Sequence, residues 1–208
     1  TSFSYDTLNQ LTDVTDPLGK INHVSYDAMG NLTSRTDFNQ AITVYTYNNV
    51  DKLTKVQYPG ANQVAFVYDA VGRVTQMNDY TGDTSYSYDA LGRITSYTNG
   101  QGLSVGYAYD NGGNLTALTY PGGKTVNYTY DSQSRLTQVK DWAGRETTYA
   151  YDQRGLVTQI TLPNGTKTQY DYDDAGRMIG LKNLKSDDSV IASYTYTLDP
   201  NGNKWVST

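Results

Sequence analysis

The chain has 208 residues and a formal net charge of −5, which gives no electrostatic reason to bind nucleic acid or an anionic membrane. It has no cysteine, so disulfides and thiolate metal sites are excluded. No apolar run reaches the length of a membrane-spanning helix. Leu, Ile, Val and Phe make up only 39 residues, the low edge of what a folded core normally holds. The 21 tyrosines offset this, because each brings a large ring and a polar tip. The expected core is aromatic and thin. Thr1 follows no charged and apolar leader, and the chain stops abruptly at Thr208. Both ends read as cuts in something longer, with targeting segments lost.

A Tyr-Asp pair recurs at Tyr5-Asp6, Tyr26-Asp27, Tyr68-Asp69, Tyr88-Asp89, Tyr109-Asp110, Tyr130-Asp131, Tyr151-Asp152 and Tyr172-Asp173. Tyr47-Asn48 and Leu198-Asp199 fill two further slots. The spacing is 21 residues, with a single 20 between Tyr68 and Tyr88 and a final 26. A fixed short period marks a repeat architecture in which each unit is one small supersecondary element. The expectation is one continuous array over residues 1–208, with units starting near 5, 26, 47, 68, 88, 109, 130, 151, 172 and 198.

Within a unit the first element is a turn. Asp opens it by bonding backbone N–H groups ahead, and a glycine closes it with positive φ. The closing slot holds Gly30, Gly72, Gly92, Gly113, Gly155, Gly176 and Gly202. Asn9 and Asp51 also fit there, whereas Ser134 is the least comfortable occupant. A strand follows, opening on pairs such as Leu32-Thr33, Leu53-Thr54, Val74-Thr75 and Leu136-Thr137. A second apolar residue comes two places after that Thr, as at Val56, Met77 and Val139. In a regular strand it would lie on the opposite face from the first. Either both faces are partly covered or a bulge shifts the register.

A second turn then reverses the chain, as at Asp16-Pro17-Leu18-Gly19, Asp79-Tyr80-Thr81-Gly82 and Asp141-Trp142-Ala143-Gly144. In the last unit this loop is expected to stretch from Lys182 to Ser189, which would absorb the long spacing. The return strand alternates with period two, as in Val64-Phe66-Tyr68 and Thr147-Tyr149-Tyr151. Two strands and two turns per unit predict an all-β protein. Its tandem hairpins would form one long antiparallel sheet of about 18–20 strands. Equivalent tyrosines are expected to form cross-strand ladders, and twist would curl the ribbon.

Motifs such as Tyr68-Asp69-Ala70-Val71-Gly72-Arg73-Val74-Thr75 and Tyr88-Asp89-Ala90-Leu91-Gly92-Arg93-Ile94-Thr95 resemble the RHS/YD-repeat family. So does Tyr172-Asp173-Asp174-Ala175-Gly176-Arg177, and the resemblance covers the whole chain. The family takes in bacterial polymorphic-toxin shells, toxin-complex components, wall-associated proteins and teneurins. The resemblance implies a strip that spirals into a hollow shell, of which this chain would supply an arc. It implies a secreted or cell-surface setting, bacterial in origin. In toxins of the family the shell encloses an effector domain. The family's self-cleaving region carries paired Asp-Pro-x-Gly tetrads. Asp16-Pro17-Leu18-Gly19 and Asp199-Pro200-Asn201-Gly202 match only that tetrad, each in an ordinary repeat turn.

No catalytic, cofactor or metal site is expected. His23 is the only histidine, and alone it is a poor ligand or base. Asp173-Asp174 and Asp187-Asp188 read as solvated turn acids rather than opposed catalytic carboxylates. Arg73, Arg93, Arg135 and Arg177 each lie four residues after an Asp, so local charge pairing is expected. The best binding candidates are aromatics near the second turn: Phe38, Tyr58, Tyr80, Tyr120 and Trp142. Exposed, their faces could stack on sugars; otherwise they pack over the neighbouring turn. The Tyr, Asp and Gly anchors (Tyr26, Asp27, Tyr68, Asp69, Tyr88, Asp89, Tyr109, Asp110, Tyr151, Asp152, Tyr172, Asp173 and the closing glycines) are expected to be structural.

The function these features support is a non-catalytic scaffold that encloses or displays another domain. A glycan-binding adhesive module and an extracellular filament are the alternatives. Expected partners are further repeats of the parent chain, or other copies through sheet edges. An enclosed effector or surface glycans complete the set, with neither nucleic acid nor membrane insertion.

Overall fold

A computed structural model describes residues 1–199 and the backbone of a last strand, Lys204–Ser207. The fold is all-β, with one short 3₁₀ turn at Pro59–Ala61. The chain divides into two compact units, Thr1–Ser104 and Val105–Thr208. The first holds β1 (Ser2–Tyr5), β2 (Leu11–Thr15), β3 (Ile21–Tyr26), β4 (Leu32–Thr36), β5 (Ile42–Tyr47), β6 (Leu53–Gln57), β7 (Gln63–Tyr68), β8 (Val74–Asp79), β9 (Gly82–Tyr88) and β10 (Ile94–Thr98). β11 (Ser104–Tyr109) opens the second. It continues through β12 (Leu115–Thr119), β13 (Thr125–Tyr130), β14 (Leu136–Lys140), β15 (Glu146–Tyr151), β16 (Val157–Thr161), β17 (Lys167–Tyr172), β18 (Met178–Leu184), β19 (Val190–Leu198) and β20 (Lys204–Ser207). In each unit every strand pairs antiparallel with the next in sequence, as in β5 with β6 and β6 with β7, or β15 with β16 and β16 with β17. Each is a meander of YD hairpins, as the period predicts.

The register settles which faces are covered. Tyr68 pairs with Val74, yet Val67 pairs with Gln76, so Thr75 is an extra residue. The same slip precedes Tyr26, Tyr47, Tyr130, Tyr151 and Tyr172. A bulge per repeat therefore returns the first apolar residue and the one three places later to the same face. The bulge threonine is anchored through its hydroxyl. Thr54 Oγ1 donates to the Thr46 carbonyl (3.0 Å) and Thr137 Oγ1 to the Thr129 carbonyl (3.0 Å).

The covered face reads Tyr45–Val56–Val64 across three strands of the first unit and Tyr128–Val139–Thr147 across three of the second. Burial is shallow. Among the described residues Val56, Val126 and Leu184 are the buried apolar side chains, and none is buried completely. Where Arg35 replaces the apolar residue, the buried Asn22 carboxamide oxygen accepts from its Nε (3.2 Å) and Nη2 (3.0 Å). The other face is polar, carrying bonds such as Gln169 Nε2 to Gln159 Oε1 (3.0 Å) and Gln138 Nε2 to Glu146 Oε2 (2.9 Å).

Two expectations need correction. The long final spacing is not a stretched loop. Lys185 N donates to Ser189 O (2.8 Å) across a turn of the usual size, and the extra residues lengthen β18 and β19 to 7 and 9 residues. Nor do the tyrosine rings form one continuous ladder among the described residues. Tyr86–Tyr97 and Tyr120–Trp142 meet as separate pairs, and the repeated contact of the anchor tyrosines is instead through their hydroxyls, described below.

Candidate functional site: the two turn rims

The YD turns are built by their aspartates. Asp131 Oδ1 accepts from the backbone N–H of Gln133 (2.9 Å) and Arg135 (3.0 Å). Its backbone N–H donates to Arg135 O (2.9 Å), and its carbonyl accepts from Ser134 N–H (3.0 Å). Ser134 stands at φ 60°, so even this residue adopts the left-handed conformation. The backbone N–H of Arg135, more than its guanidinium, holds the Asp131 carboxyl below the usual range, against an opposing desolvation penalty. Asp69 and Asp173 are lowered the same way by Arg73 and Arg177. A depressed folded pKa adds stability above the unfolded carboxyl value, about 3.9, and loses it as pH falls through the folded value. The thermal midpoint is therefore expected to stay level from neutrality to about pH 5 and to fall steadily below about pH 4. A circular-dichroism melt series across pH reads this directly. A midpoint flat through the acid range would show that the turns do not depend on ionised aspartate.

The arginines do more than pair locally. Arg73, Arg93, Arg135 and Arg177 each contact their own aspartate at 2.6–2.7 Å, as expected. Arg73 Nη1 also donates to the Asp89 carbonyl (3.3 Å) and Arg135 Nη1 to that of Asp152 (3.2 Å). Both guanidinium groups lie over the next repeat's tyrosine, Tyr88 (4.5 Å) and Tyr151 (4.8 Å). That tyrosine reaches back. Tyr68 Oη donates to Leu53 O (2.6 Å), Tyr88 to Val74 O (2.7 Å), Tyr130 to Leu115 O (3.0 Å), Tyr151 to Leu136 O (2.7 Å) and Tyr172 to Val157 O (2.9 Å). Successive repeats are thus clamped in both directions.

Where asparagine takes the arginine slot the clamp changes form. Asn31 Nδ2 donates to Asp51 Oδ1 (2.9 Å), and Asn114 Nδ2 donates to Ser134 Oγ (3.1 Å). Asp51 and Ser134 are turn closers that are not glycine, and each is the acceptor for an asparagine one repeat earlier.

The binding candidates lie on the second-turn rim. Tyr80 is 87% exposed and Trp142 50%; Tyr58 and Tyr120 are exposed and Phe38 is half-buried. Tyr120 and Trp142 come together edge to face, 6.1 Å between centroids, with Lys124 Nζ 5.3 Å from the Trp142 ring. Phe38, Tyr58 and Tyr80 join no ring pair among the described residues. Tyr58 instead lines a shallow hollow of about 320 Å³ with Arg35, Asp37, Tyr45 and Pro59.

The opposite rim holds a row that sequence reasoning missed. Leu8, Met29, Val50, Val71 and Leu91, the third residue of five consecutive YD turns, are 64–76% exposed. In the second unit the row is not continued: the slot holds Gly112, Gln133, Arg154 and Ala175. The signal was present in the repeat as an apolar residue at a solvent-facing turn position.

Asp16–Gly19 is an ordinary hairpin turn, with Asp16 Oδ1 accepting from Leu18 N (2.8 Å) and Lys20 N (2.9 Å). In the other tetrad, Asp199-Pro200-Asn201-Gly202, the last three positions lie outside the described residues, the closing Gly202 among them. Asp188, in the last described turn, pairs with Lys167 Nζ at 2.6 Å. No group of three or more His, Asp or Glu capable of holding a metal ion occurs among the described residues. No described helix is long and apolar enough to cross a membrane, which leaves strand-built crossings unaddressed.

Tandem hairpins closed by recurrent Tyr-Asp turns make this a YD-repeat sheet protein. The teneurin YD-shell family model matches residues 82–198, and the RHS repeat model matches residues 5–42. The first match alone spans more than half the chain, and the chain belongs to the teneurin YD-shell family of RHS/YD-repeat proteins. Among solved structures it is similar to TcdB2-TccC3 without its hypervariable C-terminal region, at TM-score 0.63 and 18% identity over 97% of this chain. It is likewise similar to TcdB2-TccC3-TEV (TM-score 0.62, 18%) and to the Photorhabdus luminescens Tc holotoxin pore (TM-score 0.62, 17%), again over 97%. At these identities the likeness concerns the fold. The chain spans only 12–13% of the length of those chains. A search of curated proteins gave no match.

Proposed function

We propose that the chain is a stretch of non-catalytic shell wall, one continuous run of repeats that encloses or displays another domain of a longer secreted or surface protein. The carrying observation is the two-way clamp between repeats. Tyrosine hydroxyls reach back and arginines reach forward, so each repeat is completed by its neighbours rather than by a thick core. Such an array extends indefinitely and makes wall, with further repeats of the parent chain or other copies as edge partners. Family membership and the Tc-toxin fold likeness support the same reading. The test is protease protection in the full-length parent. Any segment outside the repeats should resist digestion while the wall is folded and be cut once acid or heat opens it. A segment digested as fast as in isolation would refute enclosure.

A second reading rests on the exposed Tyr120–Trp142 pair with Lys124 above it, an arrangement suited to stacking on a sugar face. A glycan array run with the parent chain and with Trp142→Ala and Tyr80→Ala variants decides it. Signal lost on Trp142→Ala supports the reading, and no signal from the parent chain ends it.

A further inference from the structure

The polar face of the first unit carries an arrangement that the scaffold does not use. Asp13 on β2 lies directly opposite His23 on β3, and Ser25 follows two residues later on the same face. Asp13 Oδ1 is 2.7 Å from His23 Nδ1, and His23 Nε2 is 3.2 Å from Ser25 Oγ. Thr12 Oγ1 donates to the second carboxylate oxygen of Asp13 (3.1 Å). Each member thus fixes the next. The bond from His23, then that from Thr12, keeps the Asp13 carboxyl below its ordinary range despite desolvation. An ionised carboxylate only accepts, so in the neutral imidazole Nδ1 is the donor and the Nε2 lone pair faces the serine hydroxyl. A nucleophile within reach of a base that is itself oriented by a third group is the signature of an activated hydroxyl.

The geometry points to Ser25 as a nucleophile that accepts acyl groups from activated esters. Ser25 Oγ bonds to the ester carbonyl carbon while its proton passes to His23 Nε2. The tetrahedral adduct collapses, the bond to the leaving oxygen breaks, and Nε2 returns the proton to that oxygen. The products are an acyl-serine and an alcohol, with nothing oxidised or reduced. A hollow of about 460 Å³ beside the imidazole is lined by Lys20, Ile21, Thr36 and Gln40. It brings one cation, Lys20, beside the imidazole, and Ser25 itself lies outside its lining. Strand N–H groups lie in the plane of the sheet and serve the ladder, so they cannot converge on an oxyanion above the face. Each such donor is worth about 10²–10³ in rate. Acylation and hydrolysis are both slowed by this, but an activated ester has a good leaving group whereas the acyl-serine is an ordinary alkyl ester, so water removes the acyl group more slowly than it is added and the acylated form accumulates.

The probe is p-nitrophenyl acetate, read by nitrophenol release, intact mass and peptide mapping. The expected result is a burst followed by little turnover, with one acetyl group mapped to Ser25. Ser34, the cross-strand neighbour of Ser25, is the internal control and should label far more slowly. His23→Ala should slow Ser25 labelling by roughly 10²-fold or more, and Asp13→Asn by less. Ser25→Ala should abolish the burst. All three side chains sit on an open strand face, and circular dichroism checks that each variant folds. The assignment fails if Ser25 labels no faster than Ser34, or if His23→Ala leaves its rate unchanged. It fails equally if nitrophenol release is undiminished in Ser25→Ala, which would mean that the imidazole acts alone.

Discussion

Replacing Gly82 by Ala is expected to destabilise the first unit by about 3 kcal/mol, the sum of left-handed backbone strain and overpacking. Gly82 closes the one shortened repeat. Its turn is a two-residue hairpin in which Asp79 pairs with Gly82, and it explains the single spacing of 20. The backbone there has φ 117°, and a Cβ would lie 2.6 Å from the Gly100 carbonyl oxygen and 3.0 Å from Gly100 Cα. The approach is mutual, since a Cβ on Gly100 would stand 2.4 Å from the Thr81 carbonyl oxygen. Neither obstacle is a flexible side chain, so relief requires moving two turns apart. Gly102 is the control. It too has positive φ (76°), but nothing lies within 4 Å of its Cβ position. Gly102→Ala should cost only the backbone strain, about 1–2 kcal/mol. Hydrogen exchange resolved by peptide separates the two variants. Equal protection losses across residues 74–104 would show that the two turns are not in tight contact.

The second large effect concerns the clamp. Tyr151→Ala is expected to cost about 3 kcal/mol, because the ring carries both packing and a hydrogen bond. Tyr151→Phe should cost only about 1 kcal/mol, the net worth of one bond to a backbone carbonyl. The difference isolates the ring, which lies under the Arg135 guanidinium at 4.8 Å. Arg135→Ala should couple with Tyr151→Ala and not with a residue in the first unit, since contacting residues are non-additive. Urea unfolding of the single and double variants reads these values. Additive Arg135 and Tyr151 effects would mean that the guanidinium contributes through Asp131 and the Asp152 carbonyl and not through the ring.

The hairpin period, the aspartate turns and the local Asp–Arg pairs were legible because each depends on residues within one repeat. Asp131 and Arg135 are four apart, and turn chemistry fixes their meeting. The bulge was legible only as an alternative. Leu136 and Val139 are three apart, which suits neither strand face until the partner strand is known to slip. The clamp was hidden because its bonds cross between repeats, joining Tyr151 to Leu136 and Arg135 to Asp152. Spacing reveals that such residues recur, not which neighbour they touch. The stretched final loop was misjudged for a related reason: length alone does not say whether extra residues enter a turn or a strand. At the candidate rim, the aromatic residues were identifiable as turn residues, but only the fold shows that Tyr120 meets Trp142 while Tyr80 joins no ring pair among the described residues. The Asp13–His23–Ser25 alignment needed cross-strand register, which no single repeat encodes.

The reach of the tyrosine clamp bears on how the chain acquires its structure during synthesis. Every such bond spans only 14 or 15 residues, and the acceptor always precedes the donor. For its tyrosine bond a hairpin leaving the ribosome therefore meets a docking edge that is already in place, and only its arginine waits for the repeat that follows. Low separation of this kind favours rapid, stepwise growth. Assembly should advance from the amino end at the pace of translation, the newest strand standing as the growing edge until the next one pairs with it.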